Sequence, residues 1–253
     1  MDETGVAELA HEFADIGAQL RGEADNTDVL VRITELAVKH IPGCTWASIT
    51  MLNQLVARSL ATSDPVAAQA DTLQYQLGEG PCLSTAQGDS DVLLMNTGSD
   101  RRWPSYAQAL RTLTPIRTVL SLRLAAERAS LNLYSPETDG FTGQAINVGA
   151  VLAAHTSSAV ALHLAEESAS NLKVALASSR QIGIAVGILM AYHKVNEEDA
   201  FDLLRDASQH LNVKLRQIAA GVVETGTLPE QLSDVREYPG DVPVARWAEQ
   251  SQG

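Results

Sequence analysis

No proline occurs between Pro136 and Pro229, and through the first half of that run the apolar residues keep a helical beat. Leu152, His155, Ala159, Leu162, Glu166 and Ala169 are spaced 3, 4, 3, 4, 3, and Leu172 and Leu176 carry the stripe onward. Proline breaks a helix interior, and alternating steps of three and four trace one helix face. The spacing therefore predicts one long helix, or two nearly coaxial ones, from about 143 to 192. A helix that long cannot bury one stripe inside a chain of 253 residues. Coiled-coil pairing with a second copy is the economical solution, which makes Leu152, Ala159, Leu162, Ala169, Leu172 and Leu176 the expected seam of a homodimer.

The chain ahead of that helix is built differently. Leu9, Phe13, Ile16 and Leu20 predict an N-terminal helix, and a second, carrying Val29, Leu30, Ile33, Leu36 and Ala37, stops at Pro42-Gly43. From Thr45 the pattern turns strand-like, with a hairpin dividing at Asn53-Gln54. Ser63-Asp64-Pro65 opens a helix to about Gln76, because proline at the first helical position forfeits no hydrogen bond. A turn and a short helix follow at Leu77-Gly78-Glu79-Gly80-Pro81-Cys82. Val92 to Met95 reads as a short buried strand, Trp103-Pro104 opens another helix, and Thr118–Leu124 and Ala129–Tyr134 read as two more strands. Short strands flanked by helices predict an α+β fold. Beyond the long helix, Asn196 is a favoured N-cap ahead of Glu197-Glu198-Asp199. Asn212 is read as the cap of a further helix that ends at Thr225-Gly226, and 229–253 as an irregular tail.

Composition narrows the function. Apolar residues are 45% and charged residues 19% of the chain, too apolar for a disordered tail protein. The net charge of −13 argues against non-specific coating of DNA or an anionic membrane. That charge is uneven: residues 1–169 hold 10 basic and 20 acidic groups, whereas 170–228 hold 6 of each. The opening Met1-Asp2-Glu3 lacks the basic n-region and apolar h-region of a signal peptide. Residues 140–165 carry no charge, but Gln144, Asn147, His155, Thr156, Ser157, Ser158 and His163 make a buried helix a better reading than a membrane span. Two cysteines, Cys44 and Cys82, form no disulfide framework and are read as core residues in a cytoplasmic protein. No Walker loop, GxGxxG, GxSxG or HExxH occurs, and the six histidines never fall at metal-ligand spacing. No enzyme activity, cofactor, metal or membrane partner is expected.

Two resemblances add to this reading. Gly78-Glu79-Gly80-Pro81-Cys82, Asp100-Arg101-Arg102-Trp103-Pro104, Leu131-Asn132-Leu133-Tyr134-Ser135 and Phe141 together resemble the GAF domain family over roughly residues 26–165. That resemblance implies a central antiparallel sheet and a sensory domain with an unidentified small-molecule signal. Glu79 and Trp103 are explained by a turn and a core without any ligand. Further on come Ser179-Arg180, Ile182, Ala185, Gly187-Ile188-Leu189-Met190, Glu198, Ala200-Phe201 and Leu203-Leu204-Arg205. They continue into Ser208-Gln209, Asn212, Lys214-Leu215-Arg216 and Ala219, and the whole is similar to the ANTAR family over about 170–228. This implies a three-helix module of transcription antiterminators that binds RNA stem-loops in nascent transcripts.

The expected organisation is a sensor domain over 1–165, an RNA-binding domain over 166–228 and a tail over 229–253. Arg180, Arg205, Ser208, Gln209, Asn212, Lys214 and Arg216 are the candidate RNA contacts. Cations and helix-terminal amides suit phosphate, and neutral donors and acceptors suit splayed bases. Arg205 has a second explanation, an ion-paired face with Asp202 and Asp199. Val186 stands where the family usually has Lys, which removes one expected phosphate contact, so Val186→Lys is expected to tighten RNA binding. The alternative function is a ligand- or protein-binding dimerisation module whose ANTAR segment no longer contacts RNA.

Overall fold

The computed structural model describes residues 26–53, 56–125 and 128–229. The helix expected around Leu9–Leu20 and the tail beyond Pro229 lie outside the described residues. Contacts divide the chain into two compact units between Glu166 and Glu167.

In the first unit, α1 (Asn26–His40) precedes the hairpin β1 (Trp46–Asn53) and β2 (Val56–Thr62). Then come α2 (Pro65–Leu77), α3 (Pro81–Gln87), β3 (Val92–Asn96), α4 (Pro104–Leu113), β4 (Thr118–Leu124) and β5 (Ala129–Ser135). The five strands form one antiparallel sheet in the order β2-β1-β5-β4-β3. The α+β expectation is met.

Strand alternation sorts the two faces. Ala47, Ile49 and Met51 of β1, Leu120, Leu122 and Leu124 of β4, and Leu131 and Leu133 of β5 join one apolar core with α1. Ala145, Val148, Leu152, Ala153, Ala159 and Val160 of the long helix α5 (Gly143–His193) complete it. Gly149 lets α5 lie close to the sheet, since a Cβ there would come within 2.7 Å of Leu122 Cδ1. The opposite face carries Ser48, Thr50, Ser130, Asn132 and Tyr134 beneath α2, α3 and α4. With both faces covered, β5 is buried at every position. β3 departs from expectation: it is an edge strand, Met95 is buried, and Val92 and Leu94 are exposed.

Local chemistry places the helix ends. The Asp64 side chain accepts from the Val66 amide, with Pro65 at the first helical position. Gly80 has φ +140°, and a Cβ there would overlap the Gln74 side chain, whose Oε1 accepts from the Cys82 amide at 3.0 Å.

α5 is a single helix of 51 residues, as its proline-free sequence predicts. By length and composition it is apolar enough to cross a membrane. Its early turns, however, lie in the first core, and Ala185, Val186 and Leu189 of its late turns lie in the second. This corrects the expected seam. Leu152 and Ala159 are fully buried within the first unit, covered by the chain's own sheet and helices, and so are not open to a second copy. Leu162 is half-buried, while Ala169, Leu172 and Leu176 are exposed.

In the second unit, the late turns of α5 pack with α6 (Glu197–Leu211) and α7 (Leu215–Thr225). The core is Ala185, Val186, Leu189, Ala200, Leu204, Ala207, Ile218, Ala219 and Val222. Asn196 caps α6 as expected, accepting from the Asp199 amide at 2.9 Å.

Candidate nucleic-acid interface

Six of the seven candidate RNA contacts lie on one stretch, from the last turns of α6 to the first turn of α7. Arg180 is the seventh and lies on α5, exposed. The turn is built by backbone bonds. Asn212 adopts φ 51° and ψ 38°, and its amide donates to Gln209 O while the Val213 amide donates to Ser208 O at 3.1 Å. Those two bonds satisfy carbonyls that the helix end would otherwise leave unpaired. Asn212 therefore terminates α6, which corrects the expectation that it caps the following helix. Asn tolerates the left-handed region better than other non-glycine residues.

The position before α7 belongs to Lys214, with φ −58° and ψ 134° and no side-chain cap. Among the described residues the first amides of α7 thus have no side-chain cap, and two exposed cations, Lys214 and Arg216, flank them. Gln209 is exposed on the preceding turn. Ser208 is held in place: its hydroxyl donates to the Val213 carbonyl at 2.7 Å, which makes it a part of the turn. Arg205 pairs with Asp202 at 3.0 Å across three residues, as its second explanation expects. Val186 is 7% exposed and packs in the core, so in this chain the position serves packing.

The first unit holds a second chemical feature, which sequence reading missed. Asp71 of α2 is fully buried against the polar face of the sheet. Its Oδ1 accepts from the Ser48 hydroxyl at 2.9 Å and from the Tyr134 hydroxyl, and its Oδ2 accepts from Ser59 at 2.6 Å. Tyr75 shares hydrogen bonds with Ser59 and Thr50, and Asn132 donates to Ser48 and Thr50. Burial raises the Asp71 carboxyl to about 6 against the pull of these hydroxyls. Among the described residues, Gln74 Nε2 and Tyr106 OH are buried without a hydrogen-bond partner. Burial raises both thiols, Cys44 to about 12 and Cys82 well above its ordinary value, so both are inert core groups. Among strand residues, the alternating polar positions Ser48, Thr50, Ser130 and Asn132 were the available signal for this cluster.

Glu79 and Trp103 act structurally. Glu79 accepts from the Ser105 and Tyr106 amides at the start of α4, and Trp103 packs on the core beneath Arg102, whose guanidinium lies 4.4 Å from the ring centre.

The class this defines is an α+β unit followed, along one continuous helix, by a three-helix unit with a cationic turn. The ANTAR domain family matches residues 170–223. Among solved structures, the photosensory core module of the Stigmatella aurantiaca phytochrome is similar in fold at 11% identity and a TM-score of 0.52, over 83% of this chain and 46% of that one. The GAF domain from Acinetobacter phosphoenolpyruvate-protein phosphotransferase is similar at 16% identity and a TM-score of 0.47, over 65% of this chain and 97% of that one. A phycoerythrobilin-bound GAF domain from a cyanobacterial phytochrome gives 11% identity and a TM-score of 0.46, over 63% and 97%. No curated protein sequence matches the chain. The second unit therefore carries the match to the ANTAR domain family, over residues 170–223.

Proposed function

We propose that this chain is a signal-responsive transcription antitermination regulator. The ANTAR domain binds RNA stem-loops in nascent transcripts, and the first unit receives the signal, a small molecule among the candidates. The observation that carries this reading is the ANTAR match over 170–223, on a three-helix unit whose α6–α7 turn presents Lys214 and Arg216 beside uncapped amides. The protein works as a cytoplasmic homodimer and not as an enzyme. The open part of the seam, Ala169, Leu172 and Leu176, supports the pairing, because leaving two leucines about 60% exposed on one helix face is unfavourable. Two modest cationic surfaces on one RNA then gain by effective concentration.

The test is crosslinking of the protein to RNA in its host cells, with Lys214→Ala/Arg216→Ala as control. Stem-loops near terminators are recovered with the wild type and lost with the double variant, while the dimer persists. Intact binding by the double variant discards this surface. Recovery of no stem-loops by a dimeric wild type favours the second reading, a protein-binding dimerisation module, which the zero net charge of 170–228 also supports.

A further inference from the structure

Between the late turns of α5 and the start of α6, within the second unit, runs a groove of about 640 Å³. Ser179, Ile182, Val186 and Met190 follow one another along its α5 wall at steps of three and four, so it is a trough about three turns long, or about 16 Å. Its floor is apolar and partly bare. A Cβ on either Gly183 or Gly187 would meet nothing within 4 Å. Phe201 lines the α6 wall and is 38% exposed, although Ala200 and Leu204 on the same helix are fully buried.

Every charged residue of the lining is acidic. Glu197, Glu198 and Asp202 stand on the α6 side, and among the described residues no Lys, Arg or His lines the groove. Asp202 already pairs with Arg205, which leaves Glu197 and Glu198 for an occupant. A phosphate backbone brought to these carboxylates would be repelled. The complement is a segment that is apolar on one face and cationic beside it, with a Lys or Arg to meet the carboxylates or lie on the Phe201 ring.

The walls decide the backbone of that segment. α5 is helical throughout this stretch, so its amides and carbonyls are paired within the helix and offer an extended chain no ladder. A second helix brings its own backbone bonds and needs only side-chain anchors at i, i+3 or i+4, and i+7, which is the spacing of the trough's own lining. The ends of this chain do not supply the charge: residues 1–25 hold 7 acidic groups against one Arg, and 229–253 hold 5 against 2. A second copy brings a net charge of −13 to the same lips, and its exposed Leu172 and Leu176 belong to the self-pairing seam proposed above.

We propose that the α5–α6 groove docks a cationic amphipathic helix of a partner protein, with its apolar face over Val186, Gly187 and Phe201 and its Lys or Arg side chains against Glu197 and Glu198. This site does not rest on the RNA-binding reading, because Lys214 and Arg216 stand outside the lining.

The experiment pans the full chain against displayed tiles of the host's proteins, this chain's own among them, each about 20 residues and so long enough to cross the trough as a helix. Affinity of the leading tile is then measured for the wild type, Gly187→Leu, Phe201→Ala, Phe201→Tyr and Glu197→Gln/Glu198→Gln. Glu35→Gln/Glu224→Gln, at exposed carboxylates outside the groove, is the control. The leading tiles carry apolar residues at helical spacing with Lys or Arg beside them. Filling the trough or removing the ring weakens binding at least about tenfold. Neutralising the lips weakens it severalfold, and by less as salt rises. Phe201→Tyr and the control keep wild-type affinity, which separates the groove from loss of fold and from general attraction to an acidic protein. Lys214→Ala/Arg216→Ala keeps it too, whatever happens to RNA. If no tile is enriched, if the enriched tiles are acidic or lack the spacing, or if Gly187→Leu and Phe201→Ala bind like the wild type, the proposal is overturned. If the enriched tile is this chain's own and the groove variants lower the mass of the assembly, a second copy fills the groove and the proposal falls. If the groove variants lose stem-loop RNA and not the tile, the groove belongs to nucleic acid and the proposal falls as well.

Discussion

The Tyr134 hydroxyl donates to the Asp71 carboxylate in the first unit, and among the described residues no cation is paired with that carboxylate. The partners of Asp71 are neutral hydroxyls, so its ionised form is disfavoured relative to water. The carboxyl becomes a weaker acid, its pKa moving up from 3.8 to about 6, which fixes the sign of a pH effect. A carboxyl that binds its proton more tightly when folded stabilises the fold below its unfolded value. That contribution disappears as pH rises through the folded value and stays absent above it. The window is pH 4 to 6, and the loss is about 3 kcal/mol. Asp71→Asn keeps the shape without the charge, so its stability relative to the wild type climbs across that window and is flat above it. Denaturant unfolding of both proteins from pH 4 to 8 measures this; parallel curves would mean that Asp71 is not the group responsible.

Glu79 spans 26 residues to serve as the missing cap of α4. Trp103, at the cap position, offers no side-chain acceptor, and Glu79 instead accepts from the Ser105 amide and hydroxyl, both at 2.9 Å. It also places a negative charge at the positive end of the helix. Glu79→Ala is expected to cost about 1 kcal/mol, the ordinary value of a helix cap, and Glu79→Gln less. Unfolding free energies that leave both variants equal to the wild type would remove the capping role.

Asn212 separates turn geometry from nucleic-acid contact. Asn212→Gly keeps the left-handed conformation and is expected to leave stability within a few tenths of a kcal/mol. Asn212→Val forces a β-branched residue into that region and costs about 1–2 kcal/mol. RNA affinity measured on Asn212→Gly reads the side chain alone. Wild-type affinity in that variant removes Asn212 from the contact set, and a several-fold loss keeps it there.

The parts of this fold that local chemistry decides were legible in the sequence. Asp64-Pro65 and Asn196 announce helix starts, and a run without proline announces α5, because caps and breakers act over a few residues. Legibility ended where a choice depended on what lies opposite. Spacing put Leu152 and Leu172 on one stripe of α5, but only the sheet decides that the first is buried and the second exposed. Asn212 suits a helix start and a helix end equally, and the five-residue reach from Ser208 to Val213 settles it. Asp71 sits in α2 among residues typical of an exposed helix face, and it is buried because Ser48, Ser59 and Tyr134, distant in sequence, supply hydroxyls. The groove lined by Gly183, Gly187 and Phe201 arises the same way, from glycines on one helix and an aromatic residue on another.

Val186 shows how a position read from family resemblance changes meaning in its own surroundings. As a missing cation, it implied that Val186→Lys would tighten RNA binding. It is instead 7% exposed, packed in the second core and lining the groove floor. A lysine there must thread its stem past the core to bring the ammonium into the groove. Val186→Lys is therefore expected to destabilise the second unit by about 1–3 kcal/mol, the cost of crowding a polar group into a packed site. Val186→Met, apolar and flexible, is expected to cost less. Hydrogen exchange on α6 and α7 reads the unit directly: faster exchange in the lysine variant and near-native exchange in the methionine variant match the packing role. Unchanged exchange in Val186→Lys, together with tighter RNA binding, would restore the position as one that faces nucleic acid.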